Sequence, residues 1–351
     1  MVDLNSDLGW VGVTRVETTD VALGGNEINQ PNLANKQLAS RDKWIRDQLE
    51  ALVGLGDTTA QDSFDSFKTA GLASIAQGRL TLASGDPEAI SDQLSATTLY
   101  YSPYVGDEIS LWNATDSRWD VYQFTETSLS LSGLAQATNH DIFGYDSGGS
   151  ITLQAVPWTS SAAGSSSRSQ AISRRNGVYV KTSDNRRYLG TLRTRVTGQT
   201  EDSRQNRFLW NAANRIRKTL LKQMLGVGQY FYSGSAWRAA NNDVDHQIRL
   251  ISGLQGALRV DSGMNSNPAG VVAASAQAGI GFNSTTVNSG QISASRPNTV
   301  DQVLVTAFSN FQVESGYHYF QLLERGGTNE GFFGEAPDER GTSGILALWE
   351  C

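Results

Sequence analysis

Cysteine and histidine are almost missing from this chain of 351 residues. The one cysteine is Cys351, which excludes a disulfide framework within the chain and a cysteine-based zinc site. The three histidines, His140, His246 and His318, lie far apart in sequence and form no metal-ligand motif. We therefore expect no catalytic residue, no metal site and no cofactor.

Long apolar runs are missing as well. No stretch approaches the roughly 20 apolar residues that a membrane helix needs, so we expect no membrane partner. The first seven residues are polar and acidic, and the sequence shows no secretory signal. Charged residues make up only 18% of the chain, and serine, glycine and asparagine fill the difference. This composition is typical of many short strands and turns, and we expect a mainly β fold.

The charge is unevenly distributed, although the net charge of the chain is −7. Residues 168–222 carry a net charge of +11, and the rest of the chain carries −18. No nucleic-acid-binding motif accompanies the basic segment, which makes nucleic acid a disfavoured partner. We expect ion pairs with acidic surfaces of the same chain or a neighbouring one. The candidates for contacts with another subunit or a polyanion are Arg193, Arg195, Arg207, Arg215 and Arg217.

Residues 36–53 give the clearest helical pattern. Leu38, Ile45 and Leu52 are seven apart, and Trp44 and Leu49 widen the apolar stripe. This apolar stripe allows two interpretations: the helix packs across a symmetry axis of an oligomer, or it packs against its own domain. These five residues are the candidates for particle attachment and oligomerisation.

The chain divides into four predicted segments. Residues 1–76 form an N-terminal attachment arm with its helix, and residues 77–204 form a β domain of short strands and turns. Residues 205–225 show helical spacing and are predicted to be a linking helix; the apolar positions are Phe208, Leu209, Ile216, Leu220, Leu221 and Leu225. Residues 226–351 return to alternation and predict a C-terminal β-sandwich, so the fold class is β-sandwich or jelly-roll-like.

Two strands illustrate the predicted alternation. In the first, Tyr188, Leu192 and Val196 should share one face, opposite Leu189, Arg193 and Arg195. In the second, one face should hold Val303, Val305, Ala307, Phe311 and Val313.

Three further groups of residues allow two interpretations each, a functional site or an ordinary structural role. Asp243, Asp245 and His246 are read as a solvated strand face rather than an acid–base site. Glu335, Asp338 and Glu339 lie in a glycine-rich stretch and are read as a polar loop rather than a calcium or sugar site. The aromatic residues of the third group are read as core rather than as a sugar platform: Tyr100, Tyr101, Tyr104, Trp112 and Trp119.

Four stretches resemble virion proteins of tailed bacteriophages. The first is NKQLASRDKWIR at 35–46, which is similar to a helix near the N-terminal ends of fibre and collar-type proteins. The second is TLYYSPYVGDEISLW at 98–112. The third combines RYLGTLRT at 187–194, DSR at 202–204 and FLWNAANR at 208–215. The fourth combines GYHYFQLLE at 316–324 with GTSGILAL at 341–348.

The resemblance implies a non-enzymatic structural component of a virion, assembled in the host cytoplasm. The expected form is a homotrimer, attached through its N-terminus to other virion proteins of the tail, neck or capsid. A long repetitive shaft is missing, which favours a short tail fibre or fibre base. The alternatives are a capsid decoration (cement) protein and a receptor-binding protein that recognises host surface glycan through its C-terminal domain.

Aromatic residues predicted to reach the surface give a physical reason for self-association. We expect them to bury spare apolar area against identical copies. They are Tyr230, Phe231, Tyr232, Trp237, Phe332 and Phe333.

Overall fold

The computed structural model describes Ile45, Asp47 and residues 72–268, 276–292, 294–295, 303–327, 330–334 and 342–351. Leu72–Cys351 forms one compact unit. Its described residues are mainly strands, which confirms the mainly β prediction. No helix in the described part of the chain is long and apolar enough to cross a membrane.

The first strands are short because turn residues interrupt each apolar run. Positive φ angles at Gly85, Ser117 and Gly133 mark three of these turns. The strands are β1 (Gly78–Thr81), β2 (Gln93–Ala96), β3 (Thr98–Pro103), β4 (Glu108–Asn113), β5 (Arg118–Gln123), β6 (Thr127–Ser130), β7 (Asn139–Asp146) and β8 (Ile151–Pro157).

The middle of the described chain is also built from strands. They are β9 (Ile172–Arg175), β10 (Val178–Lys181), β11 (Arg187–Val196), β12 (Gln199–Asp202), β13 (Asn206–Arg207), β14 (Leu209–Asn211), β15 (Arg217–Gln223), β16 (Gln229–Phe231) and β17 (Arg238–Ala239). A 3-10 turn at Ala240–Asn242 follows them.

The last strands include the longest in the chain. They are β18 (Gln247–Ser252), β19 (Gly256–Pro268), β20 (Ala276–Phe282), β21 (Gln291–Ile292), β22 (Ala294–Ser295), β23 (Val303–Val313), β24 (Gly316–Arg325), β25 (Glu330–Phe333) and β26 (Gly344–Glu350).

The predicted linking helix at 205–225 is wrong, because β13, β14 and β15 occupy that segment. Each of these strands pairs with a strand distant in sequence: β13 with β18, β14 with β11, and β15 with β26. Asn214 takes a positive φ of 52° and turns the chain between β14 and β15. Its side-chain amide then donates to the carbonyls of Ala76 and Gly78. Tertiary pairing therefore overrides the helical spacing of the apolar residues.

Strands distant in sequence assemble into two large sheets. A 14-stranded sheet has the central order β22-β20-β24-β18-β13-β12-β11-β10-β9. A seven-stranded sheet has the order β15-β26-β19-β23-β21, with β16 and β25 attached beside β19. A three-stranded sheet (β1-β3-β6) and the β4-β5 hairpin complete the described strands.

The larger apolar core lies between the two large sheets. Ile248, Ile280 and Phe320 point into it from the 14-stranded sheet, and Val260 and Ala347 from the seven-stranded one. This part of the chain is therefore a sandwich of two sheets. A second core collects Leu80, Leu99, Leu111, Ile142 and Leu189 from the strands that precede it.

The predicted β domain and C-terminal sandwich share a sheet. β13 pairs in parallel with β18, and this pairing joins strands of residues 77–204 to strands of residues 226–351. The division into separate domains stays a prediction.

Candidate interaction surface

The outer face of the seven-stranded sheet carries large apolar side chains among polar ones such as Thr306 and Asn310. Strand β23 alternates regularly, and Val305, Ala307 and Val313 are buried as predicted. On its opposite side, Leu304 is 58% exposed and Phe308 44% exposed. On β26, Leu346 is 41% exposed and Leu348 50% exposed. We call these four side chains the apolar outer face.

The strand register places two of these side chains on either side of β19. Asp261 on β19 is opposite Leu346 on one side and opposite Phe308 on the other. Leu346 is also opposite Leu221 of β15, which extends the apolar area by one strand. Between Leu304 and β26 lies Gly263, where an added Cβ would sit 3.2 Å from the Cδ1 atom of Leu304. The bare backbone of Gly263 lets the Leu304 side chain lie flat across β19.

Charged residues around the apolar outer face come in pairs of opposite sign. The Nη2 atom of Arg259 lies 2.7 Å from the Oδ1 atom of Asp261, and the Arg259 guanidinium carbon lies 5.0 Å from the centre of the Phe308 ring. Hydrogen bonding to Asp261 raises the pKa of Arg259. Arg217 and Glu350 form a longer pair at 3.4 Å, with both side chains exposed. The surface thus offers apolar area together with both signs of charge.

Two of the five predicted arginines lie on β11 with different environments. Arg193 is half-buried: its Nη1 atom donates to Asn139 Oδ1 at 2.8 Å and to the Ser161 carbonyl at 3.0 Å, and its guanidinium covers the Tyr317 ring. Arg195 is more exposed and lies 3.3 Å from Glu201. These contacts are within the chain.

The other three arginines also have partners within the chain. Arg207 lies 3.1 Å from Asp202, and both are buried. Arg215 lies over the ring of Trp210, with its guanidinium carbon 5.5 Å from the ring centre. Arg217 is beside Glu350 on the rim of the apolar outer face. Contacts of the five arginines with another subunit or a polyanion stay a prediction.

The predicted attachment residues are almost all beyond the described part. Leu38, Trp44, Leu49 and Leu52 lie outside the described residues. Ile45 and Asp47 are described and helical, and Ile45 is 49% exposed. The helix over 36–53 stays a prediction.

The acid–base candidates show no catalytic geometry among the described residues. Asp243, Asp245 and His246 lie in a turn before β18 rather than on a strand face, and His246 Nδ1 is 3.2 Å from Asp243 Oδ2. Burial lowers the pKa of His246, which keeps the ring neutral at pH 7. No group of three or more potential metal ligands occurs in the described part. Glu335, Asp338 and Glu339 lie outside the described residues.

The predictions for the aromatic residues are confirmed for some residues and wrong for others. Tyr101 and Trp119 are buried as core residues, each 2% exposed. Phe332 and Phe333, predicted to reach the surface, are also buried, because β25 pairs with both β16 and β19 and joins the larger core. That prediction is wrong for these two residues. Phe231 of β16 is exposed as predicted.

The alternation of the sequence did not predict the apolar outer face. The sequence does contain the relevant residues, since Leu304 and Phe308 are apolar residues at the outward positions of the alternating strand β23. Large apolar residues at outward positions point to a second contact only together with apolar neighbours on adjacent strands, and those neighbours come from β26, about 40 positions away.

Comparisons with known proteins identify no family. No family model matches the chain, and no curated protein matches it. Among the solved structures, the tryptic core of a Bacillus thuringiensis Cry1Da variant matches over 81% of this chain at 8% identity, with a TM-score of 0.19. The chain spans 54% of the length of that structure, about half. A superposition this poor carries no argument about fold or function.

Proposed function

We propose that this protein is a non-enzymatic structural component of a bacteriophage virion, a short tail fibre or fibre base attached through its N-terminus. The four stretches that resemble virion proteins support this role, and the second, third and fourth of them include strands of the described fold. Six strands, β18, β19, β20, β23, β24 and β26, lie alternately in the two packed sheets of the sandwich. This arrangement supports the proposal of a jelly-roll-like sandwich, an architecture used in viral coats.

The apolar outer face carries the proposal of a homotrimer. Leu346 and Phe308 flank Asp261 on either side of β19, and together with Leu304 and Leu348 they expose apolar area that a contact with another copy would bury. A second copy is the occupant we propose for this surface, because Arg259 and Asp261 lie among its apolar side chains and Arg217 and Glu350 lie at its edge. Each copy can therefore offer an opposite charge to either charge of its neighbour.

Replacement of Leu346 and Leu348 by glutamate tests the assembly. Both side chains point to solvent in the single chain, so the charges leave folding intact but repel in a contact between copies. We expect light scattering after gel filtration to give a trimer for the unmodified protein and a monomer for the double variant. Val105→Glu is the matched control, because Val105 is 65% exposed in the turn between β3 and β4.

Two results would contradict the proposal at this surface. One is an unmodified protein that is monomeric at micromolar concentration and does not bind particles. The other is a double variant that remains a trimer, which would place the subunit contact elsewhere.

Copy number on purified particles tests the position on the virion. A low copy number that matches tail or neck symmetry supports the fibre or fibre-base role. A copy number that matches the capsid lattice would replace it with the decoration role. Competition of the purified protein with phage adsorption would instead support receptor binding through the C-terminal sandwich.

A further inference from the structure

A cavity of about 290 Å³ lies among β1, β3, β10, β11 and β14, away from the apolar outer face. Most of its wall is small or apolar, including Gly78, Val178 and Leu189. Six residues with polar side chains also line it: Ser74, Tyr101, Tyr179, Arg187, Tyr188 and Asn211. The side chains of Tyr179, Tyr188 and Asn211 are hydrogen-bonded within the chain, and the proposal concerns Arg187 and Tyr101. Neither belongs to the interaction surface described above.

Arg187 is a buried cation with no counter-ion in the described part of the chain. The residue is 6% exposed, and its Nη1 atom donates to the carbonyls of Ala73 and Ser110, both at 2.9 Å. These two bonds use both hydrogens of Nη1. The N–H groups on Nη2 and Nε are not among the fully buried unpaired groups, so they keep some accessible surface at the cavity that Arg187 lines. Burial lowers the pKa of Arg187 to about 10, so the group stays charged at neutral pH.

Tyr101 presents an unused donor to the same cavity. The residue is 2% exposed, its hydroxyl oxygen lies near the backbone N–H of Gly78, and its hydroxyl hydrogen has no acceptor among the described residues. Burial raises the pKa of Tyr101 to about 12, so the phenol keeps its proton. Its ring is held by stacking on Phe124, with ring centroids 5.0 Å apart.

Two unmatched donors in a buried site are costly. A buried guanidinium without a counter-ion loses the solvation it had in water, and a buried hydroxyl without an acceptor loses a hydrogen bond. The ring of Trp119, 5.9 Å from the guanidinium carbon of Arg187, compensates only in part. An anion in the cavity would satisfy both donors at once.

We propose that this cavity binds a small monocarboxylate, held by the guanidinium of Arg187 and the hydroxyl of Tyr101. The planar pair of N–H groups on Nη2 and Nε matches the two oxygens of a carboxylate, and the hydroxyl of Tyr101 adds a third donor. A single cation balances one negative charge, whereas phosphate would bring more charge and more acceptors than the site can match. The apolar wall around Val178, Leu189 and Ala212 would contact the short alkyl chain of the carboxylate.

Titration of the full-length protein with carboxylates tests the site. Acetate and butyrate are compared with chloride and inorganic phosphate at equal ionic strength, by calorimetry and by thermal unfolding. We expect butyrate to bind and to raise the melting temperature, because a ligand that binds only the folded state stabilises it. Each buried methylene of the ligand should tighten binding about fourfold, so butyrate should bind more tightly than acetate.

Tyr101→Phe removes one donor and keeps the ring that packs on Phe124. We expect it to weaken butyrate binding about tenfold, the effect of one hydrogen bond to a charged group. Tyr100→Phe is the matched control, since it makes the same change on the next residue of β3, whose side chain points away from Tyr101. Arg187→Met should abolish binding where that variant folds.

The outcomes decide the proposal in either direction. Equal melting temperatures in butyrate and chloride would overturn it, and so would equal butyrate affinity of the Tyr101→Phe and Tyr100→Phe variants. Phosphate binding more tightly than butyrate would overturn the assignment to a carboxylate. None of these measurements depends on whether the protein assembles on a virion.

Discussion

Single polar residues in this protein are fixed in one chemical state by their neighbours, and His318 is the clearest case. The backbone amide of Tyr319 donates to Asn283 Oδ1, which orients the Asn283 side chain. The Nδ2 atom of Asn283 then faces His318 Nδ1 at 3.1 Å and must donate to it. The other ring nitrogen, Nε2, donates to the Glu314 carbonyl at 3.0 Å. The ring is therefore held neutral with its proton on Nε2.

This arrangement predicts a loss of stability in mild acid. Burial lowers the folded-state pKa of His318, His140 and His246 below the ordinary value of 6.5. Below that value the unfolded chain binds more protons than the folded one, so stability falls as the pH falls toward the folded-state pKa values. Urea unfolding between pH 7.5 and 5 should show this, with a slope of up to about 1.4 kcal/mol per pH unit for each histidine.

His318→Gln isolates the contribution of one ring. The variant cannot take up a proton at this position. The slope of its unfolding free energy against pH, between pH 6.5 and 5, should therefore be smaller by up to the contribution of one bound proton. An unchanged slope would show that His318 is protonated as easily in the folded chain as in the unfolded one.

At the scale of the strands, a buried group of charges ties the two large sheets together. Asp202 of β12 lies 3.1 Å from Arg207 of β13, both in the 14-stranded sheet. It also lies 2.6 Å from Lys218 of β15, which belongs to the seven-stranded sheet. One carboxylate therefore balances two buried cations, each also bonded to backbone carbonyls.

Removal of that carboxylate should be strongly destabilising. Asp202→Ala leaves Arg207 and Lys218 buried without an anion, and we expect a loss of about 3–5 kcal/mol in the free energy of unfolding. Glu350→Ala is the matched control, because Glu350 and Arg217 form an exposed pair whose loss should cost below about 1 kcal/mol. Chemical unfolding of the two variants measures both values, and equal losses would contradict the expected difference.

In strand β11 a register shift makes the prediction from simple alternation wrong. Alternation predicts Tyr188 and Leu192 on one face, with Leu189 on the other. The pairing with β7 shifts register between Tyr188 and Gly190, which is the mark of a β-bulge. Leu189 and Leu192 consequently both join the smaller core, and Tyr188 joins the larger one.

At the scale of the whole unit, one sheet serves two cores. The smaller core around Leu80 and Leu99 and the larger core around Ile248 and Ile280 are joined by the continuous 14-stranded sheet. Residues of β11 contribute to both cores from opposite faces. A sheet shared in this way couples the two cores, because one cannot lose its strands without exposing the other.

The shared sheet predicts one cooperative unfolding transition for residues 72–351. Leu99→Ala empties part of the smaller core and Ile280→Ala part of the larger one, and each should cost about 2–5 kcal/mol. Calorimetry should show that either variant moves the same transition down by several degrees. Two transitions, each moved by only one variant, would instead support separate domains at 77–204 and 226–351.

The sequence by itself determined the class of the fold and the inward face of regular strands. Scarce charge, abundant small residues and alternation such as Val305, Ala307 and Val313 are local properties, and burial of one strand face follows from them directly. The outward positions of Leu304 and Phe308 follow from the same alternation.

Only the tertiary structure decided the rest, because it depends on partners far away in the chain. Residues 205–225 are strands because β11, β18 and β26 pair with them, and helical spacing holds no information about those partners. The cavity of Tyr101 and Arg187 likewise joins side chains 86 positions apart in the numbering. Their unmatched donors arise from long-range burial, which no local pattern of residues records.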